Sequence, residues 1–316
     1  MQDKASVFGA SDLGSRQHTI KAAVLCEGIG VHKGEMARMR LAPAPIGTGI
    51  VFIRSDFTGA DARIPARAEF VSSVDLGTSL RNHAGAEIAT VEHLLAACAG
   101  LGVDNLFVEI DGPELPILDG SSEPFVDVLV KAGLKAQAAP RRKIRILETV
   151  EVVSGAKSAS LSPLKPGEQP SMDVTIRFAD PAIGVQRRVY KPSREAFLSE
   201  IADARTFGFM ADVEKMRAAG LGRGASLDNA IVVDQGQIIN PEGLRHDDEF
   251  VRHKILDAIG DLSLAGGPIL GRFVSDQPGH AMNNALVRAL IDAPHAWAWE
   301  VAEERAAAPV YAAAAG

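Results

Sequence analysis

His253, Asp257 and Asp261 recur at a spacing of four within Glu249-Phe250-Val251-Arg252-His253-Lys254-Ile255-Leu256-Asp257-Ala258-Ile259-Gly260-Asp261. On an α-helix that spacing stacks them one turn above the next on a single face. Val251, Ile255, Ala258, Ile259 and Leu262 recur at helical spacing too, and read as the core-facing side. Asp247 and Asp248 are N-cap candidates, and Glu249 sets an acid in the first turn, where the helix dipole favours it. An imidazole and a carboxylate one turn apart can address one metal ion. The competing reading is a solvated face carrying an i,i+4 ion pair, the usual meaning of such spacing. Against it stands the order of the pair, since His before Asp is the less favourable arrangement on a helix. A second His with an acidic neighbour lies in Thr90-Val91-Glu92-His93-Leu94-Leu95. Two His and one carboxylate with an open fourth position form a catalytic zinc pattern. A spare Glu beside a ligand is what activation of water requires. Spacing alone leaves open whether His93 reaches the other two.

A third polar cluster is Gly279-His280-Ala281-Met282-Asn283-Asn284. A His just after a Gly at a helix start is accessible, and an acidic partner such as Asp261 would raise its pKa and fix its ring. Protonated, it could act as a general acid; as a lone residue it reads equally as a surface or cap His. Two protease signatures are missing. There is no His-Glu-x-x-His, and the inverted His-x-x-Glu-His fails because position 89 is Ala. Cys26 and Cys98 are too few for a Cys-rich structural zinc site and fit a reducing compartment. Both read as small buried hydrophobes. Gly28-Ile29-Gly30 lacks the third spaced Gly and the following helix of a dinucleotide fingerprint.

The elements that must position these groups read as follows. A chain of 316 residues predicts two domains at roughly 150 residues each. A net charge of −7 argues against a general nucleic-acid binder, which needs clustered Lys and Arg, but allows a local basic spot for a small anion. The N-terminus shows no secretory pattern, and charges interrupt every long apolar stretch, so no transmembrane segment is expected. Residues 1–16 read as a loose extension and 303–316 as an Ala-rich, low-complexity tail. Strand patterns fall at Thr19–Val24 and Met36–Leu41, with Gly28–Gly34 between them as a turn. A helix follows over 89–99, stopped at Gly100, then a strand at Leu106–Ile110 and a helix carrying Phe125, Val128 and Leu129, with Gly133 as its C-cap. Ala136–Arg142, with Pro140, reads as the linker. The second half predicts strands at Ile144–Val153, Ser158–Leu161, Met172–Phe178 and Ala230–Val233, and helices at Ser193–Ile201 and Asp212–Ala219 before the His253 helix. Strands and helices come in clumps, which predicts an α+β fold of two layered domains, 17–138 and 139–302, rather than one doubly wound sheet. No repeat is visible at the level of residues.

Taken together, several segments resemble the bacterial UDP-3-O-acyl-N-acetylglucosamine deacetylases, the zinc enzymes of lipid A biosynthesis. They are Thr90-Val91-Glu92-His93-Leu94, Pro116-Ile117-Leu118-Asp119-Gly120-Ser121, Ala204-Arg205-Thr206-Phe207-Gly208-Phe209, Ala230-Ile231-Val232-Val233-Asp234, the run from Asp248 to Asp261, and Gly279-His280. They occur in family order from about residue 18 to about residue 300.

The resemblance implies two layered α+β domains with the active site between them, and hydrolysis of the N-acetyl group of UDP-3-O-(3-hydroxyacyl)-N-acetylglucosamine to release acetate. It implies one catalytic Zn²⁺ on His93, His253 and Asp257 with water as fourth ligand, although Fe²⁺ also suits two His and a carboxylate. Glu92 corresponds to the general base and Thr206 to a hydroxyl that donates to the oxyanion. His280 corresponds to the general acid or to an electrostatic stabiliser, with Asp261 orienting it. Lys254 corresponds to a position near the nucleotide diphosphate. Phe207, Met210 and Val213 are assigned to the wall of an acyl channel, with core packing as the competing reading. Asp119 reads as a turn and cap residue. Asp75-Leu76-Gly77-Thr78-Ser79-Leu80 has no Cys, so the thiol-held inhibitory second zinc of some family members is not expected. A monomer in the bacterial cytoplasm, working near the inner membrane face, completes the expectation. The alternative from another class is a catalytically inactive relative that binds the sugar nucleotide.

Overall fold

Burial alternates residue by residue along Met36–Pro43 and Ser171–Arg177, the period-two signature of strands with one face in the core and one in solvent. A computed structural model describes residues 15–218 and 220–301, and in it each of these strands belongs to its own five-stranded sheet. The first sheet runs in the order Val24–Ile29, Met36–Pro43, Leu106–Ile110, Ile50–Arg54, Arg63–Pro65. The second runs Val150–Ser154, Lys157–Ser162, Arg272–Asp276, Ser171–Arg177, Val185–Tyr190. Each has a single parallel pairing, between its central strand and the first strand of its second hairpin. All its other neighbours are antiparallel. The two halves therefore repeat one topology that the residue identities do not announce.

In both halves the central strand follows one helix and precedes another. These are α1 (Glu92–Leu101) and α2 (Glu123–Ala132) in the first half. The second half inserts α3 (Arg194–Ala196), which runs into a π turn over Phe197–Ile201, and α4 (Met210–Ala218). It then places α5 (Glu249–Ser263) and α6 (His280–Asp292) as the counterparts of α1 and α2. Helices α5 and α6 pack on the second sheet, α2 packs on the first, and α1 lies against α2 and α5 at the centre. The first insert is a small sheet of Val71–Ser73, Ser79–Arg81 and Glu87–Ile88; the second pairs Phe207–Phe209, Ile231–Asp234 and Gln237–Ile238.

Helix α1 is buried on nearly every side, including Leu94, Leu95 and Leu101, and each buried Leu contributes about 1.5–3 kcal/mol. That burial holds a short helix with a polar first turn in place. Its C-terminus is two residues later than the sequence predicts. Gly102, at φ 77°, supplies the left-handed cap, while Gly100 is occupied differently, with the Phe197 ring lying where a side chain would go.

Other expectations also shift. The segment read as a linker is strand: Leu134–Pro140 pairs with Arg16–Ile20, and Arg142–Ile146 sits between Ile269–Leu270 and Trp297–Val301. The predicted strand Ile144–Val153 is thus two strands. Arg16 is already strand, whereas residues 1–14 of the expected extension and all of the 303–316 tail lie outside the described residues. The strands Ile50–Arg54, Val185–Tyr190 and Arg272–Asp276 are not among the predicted ones; in the second, Gln186, Arg187 and Arg188 interrupt the apolar pattern. Cys98 is a small buried hydrophobe as expected, its thiol pushed up to about 12 by burial; Cys26 is half-buried, and both are free.

Candidate active site

The face of α5 that carries His253, Asp257 and Asp261 is not solvated. These residues are 1%, 1% and 2% exposed, because α1 lies across them. The crossing is close. A Cβ at Gly260 would sit far inside van der Waals contact with the Glu92 carbonyl oxygen, so only glycine lets the two backbones approach this far. The approach delivers His93, from the first turn of α1, to the stripe on α5. His253 Nε2 stands 3.3 Å and His93 Nε2 3.6 Å from Asp257 Oδ1, and the three candidate ligand atoms all lie within 4.8 Å of one another.

This donor set fits a tetrahedral dication. Ligand bonds of about 2.0–2.1 Å at tetrahedral angles put neighbouring ligand atoms roughly 3.3 Å apart. Asp257 Oδ1 is buried with no hydrogen-bond partner, an arrangement that is costly unless a cation completes it. His253 Nδ1 donates to the Ala204 carbonyl at 3.0 Å, which leaves the Nε2 lone pair facing the site. Burial pushes the His253 pKa down to about 3, so the imidazole is neutral. Burial alone would raise Asp257, but its interactions with the neighbouring His253, Lys254 and His280 outweigh it and hold the carboxyl well below its ordinary range. Neutral imidazole and ionised carboxylate are the forms a metal binds. Lys254 Nζ donates to the other oxygen of Asp257, Oδ2, at 2.8 Å and lies 5.3 Å from the centre of the Phe207 ring.

Two further groups flank the ligands. Glu92, the first residue of α1, accepts from the Thr78 backbone N–H on Oε2 at 3.0 Å. Burial pushes its carboxyl up; His280 and His93 pull it down, and Asp261 and Asp257 raise it again, leaving a net rise. A raised carboxyl is suited to taking a proton near neutrality. His280, the first residue of α6, points Nε2 to within 4.0 Å of Glu92 Oε1 and 3.9 Å of Asp257 Oδ2. Its Nδ1 donates to Asp261 Oδ2 at 2.9 Å. Burial would lower its pKa, but Asp261 first, then Asp257 and Glu92, carry it up to about 10. A bound dication opposes part of that rise. Glu92 and His280 therefore come from different halves and meet beside the candidate ligands.

Thr206 lies two residues after Ala204, whose carbonyl holds His253, and its own backbone is anchored by Thr206 N–H to Gly120 O and Ile231 N–H to Thr206 O, both at 2.8 Å. The Phe207 ring lies 6.1 Å from the His253 ring and 4.9 Å from that of Phe250, centroid to centroid. Met210 and Val213 stand half-buried on α4, just beyond that strand. Asp119 is a turn residue as expected: Oδ1 accepts from Ser121 N–H and Oγ–H, and Oδ2 accepts from Arg245. Asp248 does take the N-cap position of α5, but its carboxylate pairs with Arg188 and Arg252 instead of the helix N–H groups.

Sequence reasoning missed three supports. Thr78 bonds Asp261 through its hydroxyl. Ser122 Oγ–H donates to the His93 carbonyl at 2.8 Å. Buried Arg205 forks onto Glu249 from Nε and Nη2 at 2.9 and 3.2 Å, clamping the Ala204–Thr206 segment to the start of α5. Arg205 and Glu249 lie 44 positions apart, and nothing in their spacing marks them as a pair. The cleft of about 660 Å³ between the halves, lined by Arg141, Arg194 and Trp299 among others, contains none of the candidate residues.

Comparison with known proteins identifies the family. The family described as UDP-3-O-acyl N-acetylglycosamine deacetylase matches residues 17–292. A UDP-3-O-acyl-N-acetylglucosamine deacetylase of Phenylobacterium zucineum is 53% identical over 281 residues, covering 89% of this chain and 95% of the relative. The enzymes of the same name from Shewanella oneidensis and Shewanella denitrificans are 47% and 46% identical, each across 93% of this chain and 95% of its own length. With a match of that extent, the chain belongs to the UDP-3-O-acyl N-acetylglycosamine deacetylase family.

Proposed function

We propose that this protein hydrolyses the N-acetyl group of UDP-3-O-(3-hydroxyacyl)-N-acetylglucosamine, releasing acetate and the free amine, an early committed step of lipid A biosynthesis. The observation that carries the reading is the buried convergence of His93, His253 and Asp257, with Glu92 and His280 on either side. Zn²⁺ is the ion we assign, with Fe²⁺ as the other metal this donor set suits. When bound there, the metal supplies a Lewis acid that polarises the acetamide carbonyl and makes water acidic enough to attack near neutral pH.

The chain's own residues do the rest. Glu92 takes the proton of the attacking water; its Oε2 is held by Thr78 N–H, so the carboxylate has a fixed direction. The Thr206 hydroxyl donates to the carbonyl oxygen as negative charge develops on it. His280, cationic and oriented by Asp261, gives its Nε2 proton to the glucosamine nitrogen as the C–N bond breaks. Lys254 is assigned to the nucleotide diphosphate, with Asp257 as its partner in the absence of substrate. Phe207, Met210 and Val213 are assigned to the acyl chain.

All of these groups belong to one chain, which supports action as a monomer. No helix among the described residues is long and apolar enough to cross a membrane; we assign the enzyme to the cytoplasm, near the inner membrane face where an amphipathic substrate is met. The domains we propose are 17–138 and 139–302, each with its own five-stranded sheet. Acetate release from the substrate is measured before chelation, after it, and after zinc is added back. Activity that vanishes and returns supports the assignment, whereas no turnover by folded, metal-loaded protein would reject it.

A further inference from the structure

Thr78 is buried in the first half's insert, at 1% exposure, yet it touches groups from both halves. Its hydroxyl lies 2.6 Å from Asp261 Oδ1, a residue 183 positions away, and 3.3 Å from His280 Nδ1. An ionised carboxylate can only accept, so the Thr78 O–H proton points at Asp261. Asp261 Oδ2 accepts from His280 Nδ1–H and from Asn283 Nδ2–H, each at 2.9 Å. The carboxylate is thereby held by three donors, and Thr78 is the only one of them contributed by the first half. The Thr78 backbone faces the other way. Its N–H donates to Glu92 Oε2 at 3.0 Å, and its carbonyl accepts from Val91 N–H at 3.2 Å, at the entry to α1.

We propose that Thr78 is a positioning residue that sets the general acid in register with the general base, its hydroxyl fixing the Asp261–His280 pair while its N–H fixes Glu92. The inference rests on the deacetylase reading above and adds a residue to its machinery. Its logic is geometric. His280 Nε2 must address a leaving nitrogen while Glu92 addresses water on the same carbon, and the two side chains hang on helices from different halves. Without the hydroxyl, Asp261 Oδ1 loses its only hydrogen-bond donor among the described residues, and no other donor from the first half among them reaches the carboxylate.

The test removes the hydroxyl in two ways. Thr78→Val keeps the shape and Thr78→Ala vacates it, and both retain the backbone bonds. Each variant is compared with Thr78→Ser for kcat, KM, metal content and melting temperature. Loss of one buried positioning hydrogen bond is expected to lower kcat about tenfold in both the Val and the Ala variant. KM and metal content stay at wild-type levels, and Thr78→Ser restores kcat to within about threefold. Combined with His280→Ala, Thr78→Val adds no further loss, because the residue acts through His280. Wild-type kcat in the Val variant, additivity with His280→Ala, or failure of both hydroxyl-free variants to fold would each overturn the inference, the last by making the role structural. Wild-type protein that releases no acetate would instead overturn the deacetylase reading itself, so the two failures are distinguishable.

Discussion

The two halves share one topology but supply different chemistry. In the first half, α1 is a 10-residue helix that offers only Glu92 and His93, both in its first turn, and is otherwise apolar packing. Its counterpart α5 has 15 residues and places His253, Asp257 and Asp261 on successive turns. The helices after the central strands differ in the same way. α6 begins with His280, held against Asp261, whereas α2 begins with Glu123 after Ser122, whose hydroxyl serves only to bond the His93 carbonyl. Candidate ligand His93 and the proposed base Glu92 come from the first half; candidate ligands His253 and Asp257 and the proposed acid His280 come from the second. A repeated scaffold thus brings two equivalent helices to one crossing, and the difference between the halves is what makes that crossing a site and not merely a core. A metal held by His93, His253 and Asp257 would join the halves.

The largest expected effect follows from that division. His93→Ala and His253→Ala remove a ligand from opposite halves, and each should cost at least about 10³-fold in kcat/KM, since Lewis-acid stabilisation is worth several kcal/mol. Metal content, read by atomic absorption, should fall in both variants alike. If His93→Ala kept stoichiometric metal, the first half would not ligate, and the comparison would collapse to a site built by α5 alone.

Next in size is the pairing of base with acid. Glu92→Gln should keep its metal and lose about 10²–10⁴-fold in kcat, the usual contribution of a general base. Asp261→Asn probes the acid from the second half. His280 is raised from 6.5 to about 10, with Asp261 the foremost cause of the rise. A raised cation is competent below its pKa and is lost as pH climbs through it, so the alkaline limb of kcat/KM reports its loss. The same sign governs stability in the metal-free protein. The contribution of charged His280 is complete below about pH 6.5 and is lost on the way to about 10. Asp261→Asn should move the alkaline limb to lower pH; a limb that stays in place would show that Asp261 does not set the charge of His280.

How much of this was legible in the sequence depends on the distance over which each residue acts. The α5 stripe was readable because its chemistry and its packing share one helical period. That the stripe is buried, against the solvated alternative, was not readable, because it depends on α1 arriving from the first half. Glu92-His93 was visible as an adjacent pair, and it was family resemblance rather than spacing that linked it to His253. Thr78 escaped because a threonine acquires its role only when Asp261 lies within hydrogen-bonding reach. Arg205 and Glu249 escaped for the same reason. The repeat was hidden because topology is kept by alternating burial, not by identity: in Val185–Tyr190, Arg187 faces solvent while Arg188, on the inner face, is neutralised by Glu200 and Asp248.

A smaller effect separates the crossing from ordinary packing. Gly260→Ala forces a Cβ against the Glu92 backbone, which cannot move without shifting α1. Gly100→Ala forces one against the Phe197 ring, away from the ligands. Overpacking of this kind costs about 1–3 kcal/mol, so both variants should melt earlier by comparable amounts. Only Gly260→Ala should also weaken metal binding and kcat, because it displaces Glu92 and His93 relative to α5. Equal catalytic loss in the two would mean that activity tracks global stability rather than the geometry of the crossing.

The smallest effect tests the counterpart of His280. Glu123 opens α2 as His280 opens α6, and a carboxylate there suits the positive end of the helix dipole. Glu123→Ala should therefore cost about 0.3–1 kcal/mol in chemical denaturation and leave kcat, KM and metal content unchanged. His280→Ala, at the matching position of the other half, should instead lower kcat by about 10²-fold and also lower stability, because it leaves buried Asp261 without its cationic partner. A catalytic effect from Glu123→Ala would mean that the first half's second helix also reaches the reaction, and the asymmetry between the halves would have to be redrawn around four helices instead of three.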